Sequence, residues 1–386
     1  MKILIVHNAY QSHLIGGEDI VVKNEVAALQ TKLGASRVFQ YTVSNDDIRY
    51  PDLAKNIWSD GHHYQAVKSL VEKQNIDIVH VHNFFPLLTP SVFAGAKAAG
   101  AKVVHTLHNF RWWCLAGTFY REGKGNCEEC VGKPLALPGI INRCYRGSMV
   151  QSAASALAFS WYRFKNYQQH IDAYFCLSHF QEQKLATWLP ASKLFYKPNA
   201  IAPANTLVPL AEKKGYLFVG RLESAKGIEL LLQTWENLPL HFELTIIGKG
   251  DDEANLKTRY DRSNIIFLGQ LPHEQTLDYI GKAKYLMHTS LAYETFGLTM
   301  VEAMARQTPV IGLNQGTRKE MIEHGKNGFL CEREELAQMI LLSLDHANYE
   351  QMAASALMSA KVFFSEPVFQ QQMAHYQTLL QEYAHV

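Results

Sequence analysis

No apolar run in this 386-residue chain is long enough to span a bilayer, which excludes a membrane-embedded bundle. The first residues pass from Met1-Lys2 directly into ILIV, without the succession of a secretory leader, so a cytoplasmic location is expected. The G-x-G-x-x-G fingerprint is missing after the first strand-like run of either half, which disfavours a nicotinamide oxidoreductase. Large net charge is missing too. The formal balance is +1 with 19% charged residues, and no basic stripe supports nucleic-acid binding. The apolar share of 47% is too high for a disordered chain.

What is there is an alternation. Short apolar runs, taken as strands, begin at Ile3, Val38, Ile78, Val103 and Tyr174, and again at Tyr216, Leu244, Ile265, Tyr285 and Val310. Helical patterns such as Val21–Leu33, Tyr64–Gln74 and Gly227–Glu236 separate them, which argues for parallel sheets with crossover helices. The length suits two domains, and the aperiodic stretch Ile201–Gly215, rich in Pro and Lys, reads as their seam. Charge divides at the same place. Residues 1–200 hold 21 Lys and Arg against 14 Asp and Glu, leaving 16 against 22 for the rest. The positive half could face anionic lipid or an anionic acceptor, or it could complement the acidic half across a domain interface.

The stretch Leu291–Arg306, LAYETFGLTMVEAMAR, is the centre of the reading. Glu294 and Glu302 flank Phe296-Gly297-Leu298, a turn feeding a helix start where free backbone N–H groups suit a phosphate. Glu302 lies too deep in that helix to be a cap and could accept hydrogen bonds from sugar hydroxyls. Arg221 after Gly220, and Lys226 before Gly227, could both reach one pyrophosphate. Gly248-Lys249-Gly250 repeats the strand-then-glycine pattern, and Gly316–Leu330 reads as a glycine-punctuated helix ending in a turn.

In the first half, Ile15-Gly16-Gly17 precedes a helix and could wrap a phosphate or only form a tight loop. His108 ends a strand, where open parallel sheets bind ligands. His80, His82 and His105 have the period of strand faces and are read as structural. Cys114, Cys127, Cys130 and Cys144 form C-x12-C-x2-C-x13-C in a segment with little capacity for its own core. In a cytoplasmic chain four clustered thiolates suit a structural zinc; reduced thiols and an iron–sulfur cluster are the other readings. Cys176 and Cys331 sit in apolar runs and are expected in the core. Ser148–Phe159 reads as a small-residue helix running into Trp161-Tyr162-Arg163-Phe164-Lys165, which could contact a membrane surface or pack on the neighbouring domain.

Taken in order, Gly16-Gly17, His108, Pro198-Asn199, Gly220-Arg221-Leu222, Lys226-Gly227, Gly248-Lys249-Gly250, Glu294-x7-Glu302 and Gly316…Gly325-x-Asn327-Gly328 resemble glycosyltransferase family 4 over nearly the whole chain. The cysteine insert is similar to that of a subset of bacterial enzymes that build surface polysaccharides such as capsule or lipopolysaccharide. The resemblance implies an α/β GT-B fold with two Rossmann-like domains facing across a cleft. Residues 1–200 would be the acceptor domain with the insert at about 110–147. Residues 201–366 would bind the nucleotide-sugar, and 367–386 would return to the first domain as a helix from about Pro367 to Tyr383.

It further implies a retaining transfer from a UDP- or GDP-sugar to a glycan or an undecaprenyl-diphosphate-linked acceptor, with no catalytic metal, at the cytoplasmic face of the inner membrane. Arg221, Lys226 and the backbone around Phe296, Gly297 and Leu298 would hold the diphosphate. Glu302 would take the ribose hydroxyls and Glu294 the sugar hydroxyls. Gly16, Gly17, Asn199, Gly220 and Gly248 would border the donor, with His108 beside the transferred sugar. The alternatives are a GT-B nucleotide-sugar epimerase and a non-catalytic nucleotide-sugar-binding protein. His108 is followed by Asn109 where many relatives of this kind have an acid, which leaves the acceptor open.

Overall fold

The computed structural model describes residues 1–11, 16–48, 57–58, 61–250, 252–344 and 347–381. Ile15 of the first glycine loop and Tyr383 of the final helix lie outside the described residues. The chain forms two compact units. The first comprises Met1–Thr118, Glu128–Ala200 and Ser365–Val386, and the second Phe119–Cys127 and Ile201–Phe364. The final helix, Ser365–Gln381, therefore belongs to the first unit, and part of the cysteine insert to the second.

The first unit opens with strands β1 (Ile3–Ala9), β2 (Val38–Ser44), β3 (Ile78–Asn83) and β4 (Lys102–Thr106). A small antiparallel hairpin, β5 (Tyr120–Arg121) and β6 (Gly125–Asn126), interrupts the series before β7 (Ala173–Cys176) and β8 (Leu194–Tyr196). The six-stranded sheet has the order β2-β1-β3-β4-β7-β8, with every pair parallel. All six residues of β3 are buried, as a strand covered by helices on both faces requires. The helix Gly17–Leu33 turns Val21, Val22, Glu25, Val26 and Leu29 inward. Tyr376 and Leu379 of the final helix join the same core.

The second unit carries β9 (Lys214–Val219), β10 (Leu244–Ile247), β11 (Ile265–Gly269), β12 (Ala283–His288), β13 (Val310–Leu313) and β14 (Gly328–Cys331). Their order is β11-β10-β9-β12-β13-β14, again all parallel. The order in which strands are added reverses between β9 and β12, and in the first sheet between β1 and β3. Those two crevices are where an open α/β sheet receives ligands. Trp235, Tyr216 and Tyr285 anchor the second core, with Cys331 within it; Cys176 is equally buried in β7.

One expectation needs correction. Gly316–Leu330 is not a punctuated helix; only Arg318–Met321 is helical. The Asn327 side chain then closes the turn, accepting from Glu323 N at 2.8 Å and donating to Met321 O at 3.1 Å. The chain enters edge strand β14 directly after it. Both short edge strands, β8 and β14, escape a periodicity reading, since three or four residues cannot show a period.

Candidate functional site

At the β9/β12 crevice the backbone is packed too closely for side chains. Gly227 has φ +68°, and a Cβ there would lie 2.0 Å from Thr289 O. The loops after β9 and β12 are thereby fastened together. Ala225 O accepts from Leu291 N at 2.9 Å and from Ser290 Oγ at 3.1 Å. Gly248 does the same between β9 and β10, with φ +145° and a virtual Cβ 1.8 Å from Gly220 O. These glycines let loops approach loops. Gly248→Ala is therefore expected to cost on the order of 3 kcal/mol or more, because backbone must move. Gly16→Ala should stay within ~1 kcal/mol, because among the described residues the nearest atom to its Cβ is Tyr10 Cδ2 at an ordinary 3.6 Å. Thermal unfolding of the two variants checks the contrast.

Upon this frame Lys226 Nζ donates to Glu294 Oε1 at 2.7 Å. Burial alone would raise the Glu294 carboxyl, but Lys226 above all, with the Ser290 hydroxyl, outweighs it and holds the group far below the usual carboxylate range. Thr317 Oγ1 donates to Glu294 O at 2.6 Å and fixes its backbone. Beneath lies Arg318, only 1% exposed. It donates to Ser290 O at 2.7 Å, to Leu313 O at 2.6 Å and to His288 Nδ1 at 3.1 Å. Guanidinium only donates, so His288 presents a lone pair at Nδ1. Burial and then Arg318 push its pKa down to about 3, and the ring is neutral.

Arg221 stands apart. Its side chain is 69% exposed and pairs with Glu223 at 2.8 Å, so the structure does not bring Arg221 and Lys226 onto one point. Gly297, at φ +86°, caps the seven-residue helix Leu298–Met304, while Phe296 is buried with its ring against Phe363. Glu302 lies one turn into that helix and is nearly buried. Its Oε1 accepts from His273 Nε2 at 2.7 Å, and that bond is the main reason the His273 pKa is raised. Neither His273 nor Arg318 stands out in the sequence. Each meets its partner only through sheet order.

The first unit holds a second constellation. The Glu25 carboxylate, 6% exposed, accepts from Lys197 Nζ and, at 2.7 Å, from Gln372 Nε2 of the final helix. His80 Nδ1 lies 3.1 Å and His82 Nε2 3.3 Å from its Oε1. Burial would raise the Glu25 carboxyl, yet Lys197 and the two histidines hold it well below its ordinary value. Among the described residues His82 Nε2 lies beside the carboxylate without a hydrogen bond, while His82 Nδ1 shares one with His108 Nε2, 2.9 Å away. Burial first, then neighbouring charge, takes His82 down to about 3 and His108 well below the usual histidine range.

His80 and His82 are thus more than strand-face residues: they tie Glu25 to His108. Glu25 was missed in the sequence, although an acid inside the stripe Val21, Val22, Val26, Leu29 was the signal. Among the described residues, Glu25, His80 and His82 are also the trio with metal-ligand spacing, but the Lys197 ammonium already neutralises the carboxylate there.

Near the β1/β3 crevice, Asp19 Oδ1 lies 2.8 Å from His7 Nε2 and Tyr10 OH donates to Glu18 at 3.1 Å. Burial pushes the Glu18 carboxyl up to about 7. Gly16 caps the helix that Gly17 begins. Asn199 is buried, with no hydrogen-bond partner for its Oδ1 among the described residues. Cys114, Cys127, Cys130 and Cys144 are half-buried, Cys127 in the second unit and the others in the first. Cys130 and Cys144 pack against a small cluster of Leu115, Ala136 and Ala156.

Comparison with known proteins is consistent along the chain. The family described as Glycosyltransferase Family 4 matches residues 33–205, and Glycosyl transferases group 1 matches 207–364. An uncharacterised glycosyltransferase of Haemophilus influenzae is 29% identical over 183 residues, 45% of this chain and 52% of that protein. The amylovoran biosynthesis glycosyltransferase AmsK of Erwinia amylovora is 27% identical over 214 residues, 50% of this chain and 53% of that protein. The chain thus spans about half the length of the curated relatives it matches. The structure of Anabaena HepE in complex with UDP aligns with a TM-score of 0.64 at 17% identity, covering 98% of this chain and 100% of that one. Two six-stranded parallel α/β units and these matches define a GT-B protein. The chain belongs to glycosyltransferase family 4.

Proposed function

We propose that this chain is a retaining glycosyltransferase that moves a sugar from a nucleotide-diphosphate-sugar to a glycan or lipid-linked glycan in bacterial surface polysaccharide synthesis. The observation that carries the reading is the Lys226–Glu294 pair at the β9/β12 crevice. An ionised carboxylate fixed beside an ammonium can accept sugar hydroxyls while the ammonium takes phosphate oxygens. HepE, solved with UDP, and AmsK, named for polysaccharide synthesis, support this substrate class.

In this reading Arg221 leaves Glu223 for the diphosphate, and backbone N–H groups at Phe296–Leu298 join it with Lys226. Together they offset the leaving charge without a catalytic metal. His273 holds Glu302 in place for the ribose hydroxyls. Gly16, Gly17 and Asn199 border the donor, with Gly220 and Gly248 shaping its loops. His108 meets the transferred sugar, its ring orientation fixed through His82 and Glu25. The acceptor attacks from the face the diphosphate leaves, and a leaving phosphate oxygen takes the acceptor proton, so configuration is retained. Zinc held by Cys114, Cys127, Cys130 and Cys144 would be structural, and metal analysis of the purified protein tests it.

The activity is tested by following UDP- and GDP-sugars with and without an undecaprenyl-diphosphate-linked glycan. Release of nucleoside diphosphate that requires the acceptor, with the α anomer of the donor kept in the product, is the expected result. Conversion of the donor without acceptor would point instead to an epimerase. Donor binding without turnover in either mixture would leave a non-catalytic binding protein.

A further inference from the structure

The helix Met149–Phe164 is apolar on its outer face as well as on its inner one. The inner face buries Ala156, Ala158, Phe159 and Tyr162 with Ser152 and Ser155. The opposite stripe at helical spacing is Val150, Ala154, Leu157 and Phe164, all exposed, with Trp161 half-buried among them and its indole N–H donating to Trp58 O. Val150 is 79% exposed and Phe164 78%. The short helix Leu137–Ile141 packs beside it and turns out Leu137 and Ile141, 54% and 68% exposed. Isolated exposed apolar residues need no explanation, but a continuous stripe along a four-turn helix does.

Charge says what covers it. From Val131 to Ile171 the sequence contains Lys133, Arg143, Arg146, Arg163 and Lys165 and not one Asp or Glu. Arg143, Arg146 and Lys165 are exposed. Lys165 Nζ sits 4.7 Å from the Trp161 ring centroid, and Trp161 stacks on Phe164 at 5.6 Å. Aromatic rings beside cations and an apolar stripe are what the boundary of an anionic bilayer accommodates. A second copy of this chain would bring the same cations against each other, and an acidic protein partner would leave the aliphatic stripe unmatched.

We infer that the face formed by Leu137–Ile141 and Met149–Phe164 docks the first unit on a membrane rich in anionic phospholipid. The stripe enters the headgroup boundary, and Arg143, Arg146 and Lys165 meet lipid phosphates. This gives the lipid-linked acceptor reading a location, yet it is read without catalysis, so its failure would leave the transferase reading standing.

The test is flotation of the full chain with vesicles of phosphatidylethanolamine and phosphatidylglycerol, against pure phosphatidylcholine, at low and high salt. Binding to the anionic vesicles alone, weakened by salt, is expected. Arg143→Gln/Arg146→Gln/Lys165→Gln should lower partitioning about a hundredfold, given the attraction of each cation to such a surface. Leu157→Ser/Phe164→Ser should lower it about tenfold or more, with unchanged thermal unfolding, since both residues are exposed. Equal binding to both vesicle types, or undiminished binding by both variants, would overturn the proposal. So would a lipid-free dimer that Leu157→Ser/Phe164→Ser dissolves in light scattering, because the stripe would then be a protein interface.

Discussion

Lys226→Met is expected to lower sugar transfer by ~10²–10³-fold while the protein stays folded. The side chain is 29% exposed, and its Nζ bonds Glu294 at the β9/β12 crevice. Losing a preorganised cation beside a leaving diphosphate removes about 3–4 kcal/mol of transition-state stabilisation. Stability falls less, by ~1–3 kcal/mol, the penalty for leaving a largely buried carboxylate without its partner. Glu294→Gln should lose transfer as well, and the double variant should be little worse than either, since the two act as a unit. Arg221 makes the contrast. Its pair with Glu223 is exposed and contributes little, so Arg221→Met should leave unfolding unchanged and weaken donor affinity. Steady-state kinetics with unfolding curves separates these outcomes. Full activity in both Lys226→Met and Glu294→Gln would sink the donor-site assignment.

The second large effect is acid instability that begins well above the carboxylate range. His80, His82, His105, His108 and His288 are all depressed, chiefly by burial, His105 to about 4 and His82 and His288 to about 3. In the unfolded chain these rings take up protons below about pH 6.5, while the folded chain holds them neutral. The unfolded state therefore binds more protons across that window, and stability falls as pH falls. Each ring contributes about 1.4 kcal/mol per pH unit. Glu18 works against them: with its pKa up to about 7, it is protonated in the folded state first and cancels about one ring. Glu25 and Glu294, both depressed, add their loss only below about pH 4.5. The unfolding free energy from denaturant titration should thus drop by several kcal/mol between pH 7 and 5. His105→Asn should flatten that slope by about one proton, whereas a flat profile from pH 7 to 5 would contradict the buried neutral rings.

Much of this architecture was legible because burial on both faces leaves continuous apolar runs. Ile3–Val6, Ile78–Val81 and Tyr216–Val219 announce central parallel strands without ambiguity. The edge strands β8 and β14 could not be read, being too short for a period and set among turn residues. The glycines were visible, but their purpose was not. Gly227 opens a helix and Gly248 follows a strand in sequence, and the structure sets each where one loop lies on another. Glu294 and Lys226 were found through spacing, yet nothing in spacing says that they pair. Glu25 is the opposite case: the signal existed, an acid in an apolar helical stripe, and its partners are contributed by β3, Lys197 and the final helix. Sequence reports what one element needs from its environment; it says little about which distant element supplies it.

The central claim is that the second unit binds a nucleotide-sugar through Lys226 and Glu294. The most direct test is a thermal-shift panel of UDP, GDP, ADP, their sugar conjugates and NAD, run on the wild type and on Lys226→Met. A ligand that binds only the folded state must raise the melting temperature. A rise with one nucleoside diphosphate and its sugar, much reduced in Lys226→Met, is predicted and would name the base. A rise with NAD alone, or one that Lys226→Met leaves intact, would contradict the account.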